Sequence, residues 1–293
     1  MGEIAAIKGV YAISTGTGEQ HPEHRHRTRK PLMWWVLTSR RWVPLPILCF
    51  LIEHRDGLVL FDTGLDPAIV SDPRYIDSAI GRFLLSRIFR LHIGPDDALD
   101  RRVAELGFDV ADVSKVVVSH LHFDHVGGIR HVPGAELLVS EEEWAQLSGP
   151  QPERDWILRE HIEIPGAKWR PTRMTPTDDP LFAAFGRSHD VMGDGSLTLL
   201  PTPGHTPGSI CMLVRSAGMA PILLAGDLAY DSSQVLHDQL PGLGDTAQQL
   251  ASFAAVRALR AQLPDLEILV AHDPRTPEAL ARALAGGREA TGG

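Results

Sequence analysis

The chain has 293 residues, 43% of them apolar and 22% charged, with 28 Lys and Arg against 37 Asp and Glu for a formal charge of −9. That balance describes a globular protein rather than a disordered or low-complexity one. It excludes a nucleic-acid backbone as the main partner, because phosphate binding wants a basic field. No segment reaches the ~18 consecutive apolar residues of a membrane-spanning helix, so no membrane partner is expected. Met1 to Ser14 lack the basic start, apolar stretch and cleavage site of a secretory signal, and the expected location is cytoplasmic. Cys49 and Cys211 lie in apolar runs and read as buried small hydrophobes, not as a disulfide framework.

Taken in order, residues about 15–46 read as an N-terminal loop, a pocket or dimer element. His21, His24 and His26 lie in or just before the basic run His24 to Lys30 and read as part of a solvated loop. Ile47 to Glu53 and Leu58 to Asp62 are apolar runs joined around Arg55-Asp56-Gly57, a strong hairpin signal because glycine supplies positive φ. Ser78 to Leu91 has helical spacing at Ile80, Phe83, Leu84, Ile88 and Leu91. Another helix follows Gly94-Pro95 and stops at Gly107. Val113 to Ser119 reads as a buried strand. Ser140-Glu141-Glu142-Glu143 has capping-box form for a helix through Trp144 and Leu147.

Gly149 to Pro180 is Pro-rich and is assigned no structure, standing as a second pocket or dimer element. Strand character returns at Leu197 to Leu200, and a further hairpin pairs Ile210 to Arg215 with Ile222 to Ala225. Ala247 to Leu263 is a helix, Ile268 to Val270 a short strand and Pro277 to Leu284 a last helix. No composition shift marks a linker, so residues 1–293 read as one domain. Hairpins followed by helices, twice, suit an α/β (α+β) fold arranged as a four-layer αββα sandwich.

Histidine is the unusual component, with 14 in the chain. The run Ser119-His120-Leu121-His122-Phe123-Asp124-His125 follows directly on an apolar strand and makes little sense as core. Imidazoles and carboxylates are the donors that zinc, iron, cobalt and manganese accept. His205, Asp227 and His272 each follow a strand as well, and all would converge if the strands lie side by side. A lone histidine after a strand is usually a surface or satisfied residue, and His272 alone would carry little weight. Together the seven suffice for two divalent metal ions sharing one carboxylate.

On these residues the sequence resembles the metallo-β-lactamase superfamily, over roughly Ile47 to Pro274. The likeness includes Asp62-Thr63-Gly64, the His-x-His-x-Asp-His run, Thr202-Pro203-Gly204-His205-Thr206-Pro207-Gly208, Gly226-Asp227 and Ala271-His272. It implies that His120, His122 and His205 hold one metal and that Asp124, His125 and His272 hold the other. Asp227 bridges them, and Asp62 supports the ligands from behind. Among the branches, the zinc β-lactamases carry a Cys ligand that is missing here. Flavin-linked diiron proteins place a Glu where His122 stands. Glyoxalase II-type thioesterases add a helical domain for which the stretch after His272 is too short.

The quorum-quenching N-acyl-homoserine lactonases match in the His120-Leu121-His122-Phe123-Asp124-His125 wording and in a Tyr three residues after the bridging Asp, here Tyr230. That resemblance implies a hydrolase that opens a lactone ring by attack of a metal-bridging hydroxide. Tyr230 would stabilise the oxyanion and Asp124 would shuttle the proton. Against a catalytic Tyr230 stands the ordinary half-buried aromatic. Ser209 is expected to be structural. Met33, Trp34, Trp35, Trp42, Phe83 and Phe89 are candidate groove walls for a small-molecule lactone or ester, with plain core as the alternative. The metal is zinc, or cobalt, iron or manganese, which the same donors accept. Many relatives of the family are dimers, and a homodimer stays open here. Rival readings are another dinuclear ester or phosphoester hydrolase, a mononuclear iron sulfur dioxygenase, and a non-catalytic binding module.

Overall fold

Apolar runs that present alternate residues to opposite faces build two sheets in the computed structural model, which describes residues 6–289. In the first, β1 (Ile7–Gln20), β2 (Val43–His54), β3 (Gly57–Phe61), β4 (Phe89–His92), β5 (Val113–Val117), β6 (Glu136–Ser140) and β7 (Lys168–Thr172) lie in the order β4-β1-β2-β3-β5-β6-β7. In the second, β8 (Thr175–Pro176), β9 (Arg187–Asp190), β10 (Leu197–Pro201), β11 (Ile210–Val214), β12 (Ile222–Leu224) and β13 (Glu267–Leu269) lie in the order β13-β12-β11-β10-β9-β8.

Between the sheets, Phe50, Ile52, Val59 and Phe61 meet Leu197, Leu199, Met212 and Leu224. The alternate residues Cys49, Leu51 and Leu60 face outward and pack against Leu99 and Val103 of the helix Leu99–Glu105. On the far side, Cys211, Leu213 and Leu223 pack under Phe253, Val256 and Leu259 of the helix Thr246–Gln262. The central strands of both sheets are therefore dry on both faces, which is why they read as continuous apolar runs. Each such Leu or Phe contributes roughly 1.5–3 kcal/mol on burial. The four αββα layers are those expected from the element order, and both cysteines are buried and free.

Strand direction decides where the chemistry sits. β3, β5, β6 and β7 run parallel. β10 and β12 both run antiparallel to β11, and β13 runs parallel to β12, so all three point the same way. The loops that leave β5, β10, β12 and β13 carry His120, His205, Asp227 and His272. Two backbone bonds tie the sheets at this edge: Ile210 N–H to Ser119 O at 3.0 Å, and Leu48 N–H to Ala271 O at 3.1 Å.

Several elements differ from the sequence reading. Residues 7–20 form the longest strand, and the expected loop over 15–46 holds the end of β1, the helices Pro22–Arg25 and Leu32–Thr38, and the start of β2. β1 has no apolar period. It is polar and glycine-bearing, with a register shift between Ser14 and Thr17, and it is held by β2 on one side and β4 on the other. The helix at Ser78 is capped by Ser78 Oγ, which accepts Gly81 N–H at 3.2 Å, but it ends at Ile88. From Phe89 the chain pairs with β1, and that tertiary pairing overrides the helical spacing. The unassigned Gly149–Pro180 stretch supplies β7 and β8, the outermost strands of the two sheets, and the short helix Arg159–Ile162.

The solvated-loop reading of the basic segment is corrected for two of its three histidines: His21 and His24 are buried, and His26 is exposed. Each nitrogen of His21 lies 2.8 Å from a carbonyl oxygen, Nδ1 from that of Arg41 and Nε2 from that of Arg87. Its ring also lies against Trp42, with centres 4.1 Å apart. One side chain thus bridges the loop at Arg41 and the last turn of the helix that ends at Ile88. His21→Ala removes the ring that bridges these carbonyls and is expected to lower the unfolding free energy by about 1–3 kcal/mol in urea titration. A change below ~0.5 kcal/mol, the range of an ordinary surface substitution, would show that the clamp contributes nothing.

Candidate metal centre

The turn after β5 places His120, and the helical turn Phe123–Val126 brings Asp124 and His125 back beside it. His120 Nε2 and His205 Nε2 each lie 3.0 Å from His122 Nδ1. Neutral imidazoles cannot satisfy one another in such a trio, because one shared proton serves a single pair at a time. All three nitrogens face a common point. Burial, with help from neighbouring imidazoles, lowers the basicity of His120, His122 and His205, and that of His122 falls to about 3.

A second group adjoins it. Asp227 Oδ1 lies 3.2 Å from His125 Nε2 and 3.1 Å from His272 Nε2, and Asp227 Oδ2 faces His205 Nε2 at 3.5 Å. His272 Nε2 is also 3.4 Å from Asp124 Oδ2. Against the desolvation that opposes it, Asp227 and Asp124 raise His272 to about 10, and Asp227, Asp62 and Asp124 raise His125. The pocket therefore calls for positive charge. His125 Nε2 and Asp227 Oδ1 are buried and make no hydrogen bond despite their closeness. Three sets of donors converge: His120, His122 and His205; His120, His125 and Asp227; Asp124, His125 and His272. Soft-to-borderline nitrogen donors, hard carboxylates and two orphaned buried atoms fit divalent cations.

Three of the rings are anchored on their far side. His120 Nδ1 is 2.9 Å from Ser119 Oγ, His125 Nδ1 is 2.8 Å from Asp62 Oδ2, and His272 Nδ1 donates to Pro46 O at 2.7 Å. Asp62 also accepts from Ser119 N–H at 2.7 Å and Ser119 Oγ at 2.8 Å, which is the supporting position the sequence suggested. Its φ of 61° is unusual for a residue other than glycine, and it lies directly beyond β3 where the chain turns under the site. Such outer contacts fix ring orientation and tautomer.

Two residues escaped the sequence reading. Glu143 read only as part of a capping box, and its N–H does donate to Ser140 Oγ at 3.0 Å. Its carboxylate instead reaches the centre's two main loops. Oε1 accepts Leu121 N–H at 3.0 Å, while Oε2 accepts the Thr206 hydroxyl at 2.7 Å and Gly208 N–H at 3.1 Å. Glu143 is completely buried, which the local run of three glutamates does not signal. His24 is the other, since it lines the site cavity with Tyr230, Trp156 and the candidate ligands.

Among the candidate walls, Phe89 borders this cavity and Trp35 lies buried behind His24. Trp42 stacks with His21 and Arg90 instead. Met33, Trp34 and Phe83 are more than half exposed and form no wall. Tyr230 does line the cavity, its ring stacked 5.7 Å from that of His272. Ser209 Oγ accepts Thr206 N–H at 3.1 Å and contacts Thr206 Oγ1 at 2.6 Å, a structural position.

A sequence model of the metallo-beta-lactamase superfamily matches residues 42–272. The N-acyl homoserine lactonase AttM of Rhizobium radiobacter is 33% identical over 236 residues, 78% of this chain and 82% of that protein. A probable metallo-hydrolase of Mycobacterium tuberculosis is 30% identical over 249 residues, 78% of this chain and 76% of that protein. Among solved structures, an N-acyl homoserine lactone hydrolase with N-hexanoyl-L-homoserine at its catalytic metal centre superposes with a TM-score of 0.74. At 19% identity, over 95% of this chain and 97% of that one, this likeness speaks for the fold.

Glu143→Leu removes the acceptor of three buried donors and is expected to cost about 3 kcal/mol of unfolding free energy. Glu143→Gln keeps one carbonyl acceptor and should lose less. Equal stabilities for both variants and the parent in urea would show that the carboxylate holds nothing together.

Proposed function

Since the chain belongs to the metallo-β-lactamase superfamily, we propose that it is a metal-dependent hydrolase that opens the lactone ring of N-acyl-homoserine lactones. The observation that carries this reading is the convergence of the donor sets with a carboxylate facing both. His120, His122 and His205 would hold one ion, and Asp124, His125 and His272 a second. Asp227 would lie between, with one oxygen toward each. The second donor set favours a two-ion hydrolase over a single-iron dioxygenase. Zinc suits these donors, and so do cobalt, iron and manganese. When bound, such ions supply Lewis acidity that polarises a carbonyl and makes water acidic near neutral pH.

The chain's own groups do the rest. Tyr230 presents its phenol to the cavity. Burial, reinforced by Asp227 and Asp124, keeps it protonated and able to donate to the carbonyl oxygen as negative charge develops there. Asp124 borders the same cavity and can accept a proton from the attacking water. It then delivers that proton to the ring oxygen as the C–O bond breaks. Leu45, Phe89, Phe123 and Trp156 line the cavity and exclude bulk water. Trp156 also borders a larger apolar groove of about 880 Å³, lined by Ile76, Ile80, Leu84 and Leu158, which suits an acyl tail. A cytoplasmic setting is in keeping with two free buried thiols.

Purified protein is expected to release acid from N-hexanoyl-homoserine lactone in a pH-stat, to lose the activity to a chelator and to regain it with zinc. Turnover that survives metal removal contradicts the proposal. Asp124→Asn should lower kcat by about 10²–10⁴-fold, the usual worth of a positioned acid or base. Tyr230→Phe should lower kcat by roughly tenfold with KM little changed, less than a sole oxyanion donor because Lewis acidity shares the charge. An unchanged kcat in either variant would remove that residue from the reaction.

A further inference from the structure

One polar side chain of the site cavity has no part in the reaction described so far. His24 is 4% exposed, and neither Nδ1 nor Nε2 has a hydrogen-bond partner among the described residues. Its ring is wedged edge-on against Trp35, with centres 4.8 Å apart, and tilted against Phe89 at 5.4 Å. The backbone beneath it is fixed. His24 N–H donates to His21 O at 2.9 Å, and His24 O accepts Gly242 N–H at 2.7 Å. Arg25 pairs with Asp231 at 3.5 Å, and Gln234 Nε2 donates to Arg25 O at 2.7 Å. The same Gln234 accepts Tyr230 N–H through Oε1 at 2.9 Å, so His24 and Tyr230 are positioned by one set of contacts.

A buried imidazole held this firmly, with both nitrogens unpaired, costs stability unless a ligand completes it. Burial keeps it neutral, its basicity down at about 3, so one nitrogen donates and the other accepts. Apart from the indole of Trp156, the other polar side chains of the cavity, His122, Asp124, His205, Asp227, His272 and Tyr230, are all placed above in metal binding or the reaction. An N-acyl-homoserine lactone brings a secondary amide beside its ring. Entering between Phe89, Phe123 and Trp156, that amide loses its bonds to water.

Resting on the lactonase reading, we propose that His24 is a specificity and positioning residue whose ring N–H donates to the acyl carbonyl of the substrate amide. The site then favours acylated amino-lactones over alkyl lactones that lack the amide, because an unmatched buried donor penalises the plain ring. His24 makes no bond to the reacting carbonyl. It sets where the ring lies.

The test compares the zinc-loaded parent with His24→Phe and His24→Gln on N-hexanoyl-L-homoserine lactone and on γ-decalactone, which has the ring and a chain but no amide. Calorimetry measures binding of the ring-opened N-hexanoyl-L-homoserine, and metal content is counted in each sample. His24→Phe should lower kcat/KM on the amide lactone by about tenfold, chiefly through KM, and weaken product binding alike. Its activity on γ-decalactone should stay within about threefold, and His24→Gln should recover part of the loss. Equal losses on both lactones, or no loss on either, overturn the assignment. If the parent hydrolyses neither lactone, the lactonase reading falls and binding decides His24. Tenfold weaker amide binding in His24→Phe keeps it, and equal or absent binding removes it.

Discussion

Three imidazoles, two of them with a nitrogen 3.0 Å from the same nitrogen of the third, and a carboxylate set against one of these and two further imidazoles, cannot be stable on their own protons. Either positive charge occupies the space they enclose or the loops that carry them separate. Much of the surrounding structure can be understood as resisting that separation. Two backbone bonds lock the sheet edges together, and the far-side atoms of His120, His125 and His272 are tied to Ser119, Asp62 and Pro46. A buried charge cluster is costly unless every member is satisfied, and a bound cation would satisfy the members that protein groups leave unpaired.

Glu143 extends the same logic one layer outward. It is a fully buried carboxylate whose acceptors are spent on three donors in two loops, so neither the His120–His122 loop nor the His205 loop can shift alone. Gly208 allows this approach, since a side chain there would collide with the backbone of Glu143. On the opposite wall the Pro22–Arg25 helix plays the corresponding part, joined through Gln234 and Asp231 to the loop of Tyr230. Precision at the centre is thus a property of packed sheet edges and bonded loops rather than of the histidines themselves.

The two hairpins, the long helix Thr246–Gln262 and every candidate ligand were legible in the sequence, because apolar runs ending in His or Asp combine two strong signals. The layer order followed from the same runs. β1 was not legible, since Ser14 to Gly18 carry neither alternation nor apolar weight and are made a strand by neighbours distant in sequence. Phe89 to Leu91 reads as the end of a helix for the converse reason: its local spacing is helical and only β1 makes it extended. His21 and His24 sit in a basic, polar run whose composition says solvent. Their burial depends on Trp35, Trp42 and the loop around Gly242, and no local pattern carries that. Glu143 was hidden inside a correct local reading, its cap geometry true and its main role elsewhere.

The central claim is that these donors enclose two cations with Asp227 between them. Anomalous diffraction at the zinc absorption edge, from crystals of zinc-loaded protein and of an Asp227→Ala variant, tests it most directly. Two anomalous peaks are predicted in the parent, one among His120, His122 and His205 and one among Asp124, His125 and His272, with occupancy lost in the variant. A single peak, or peaks away from these side chains, would contradict the account.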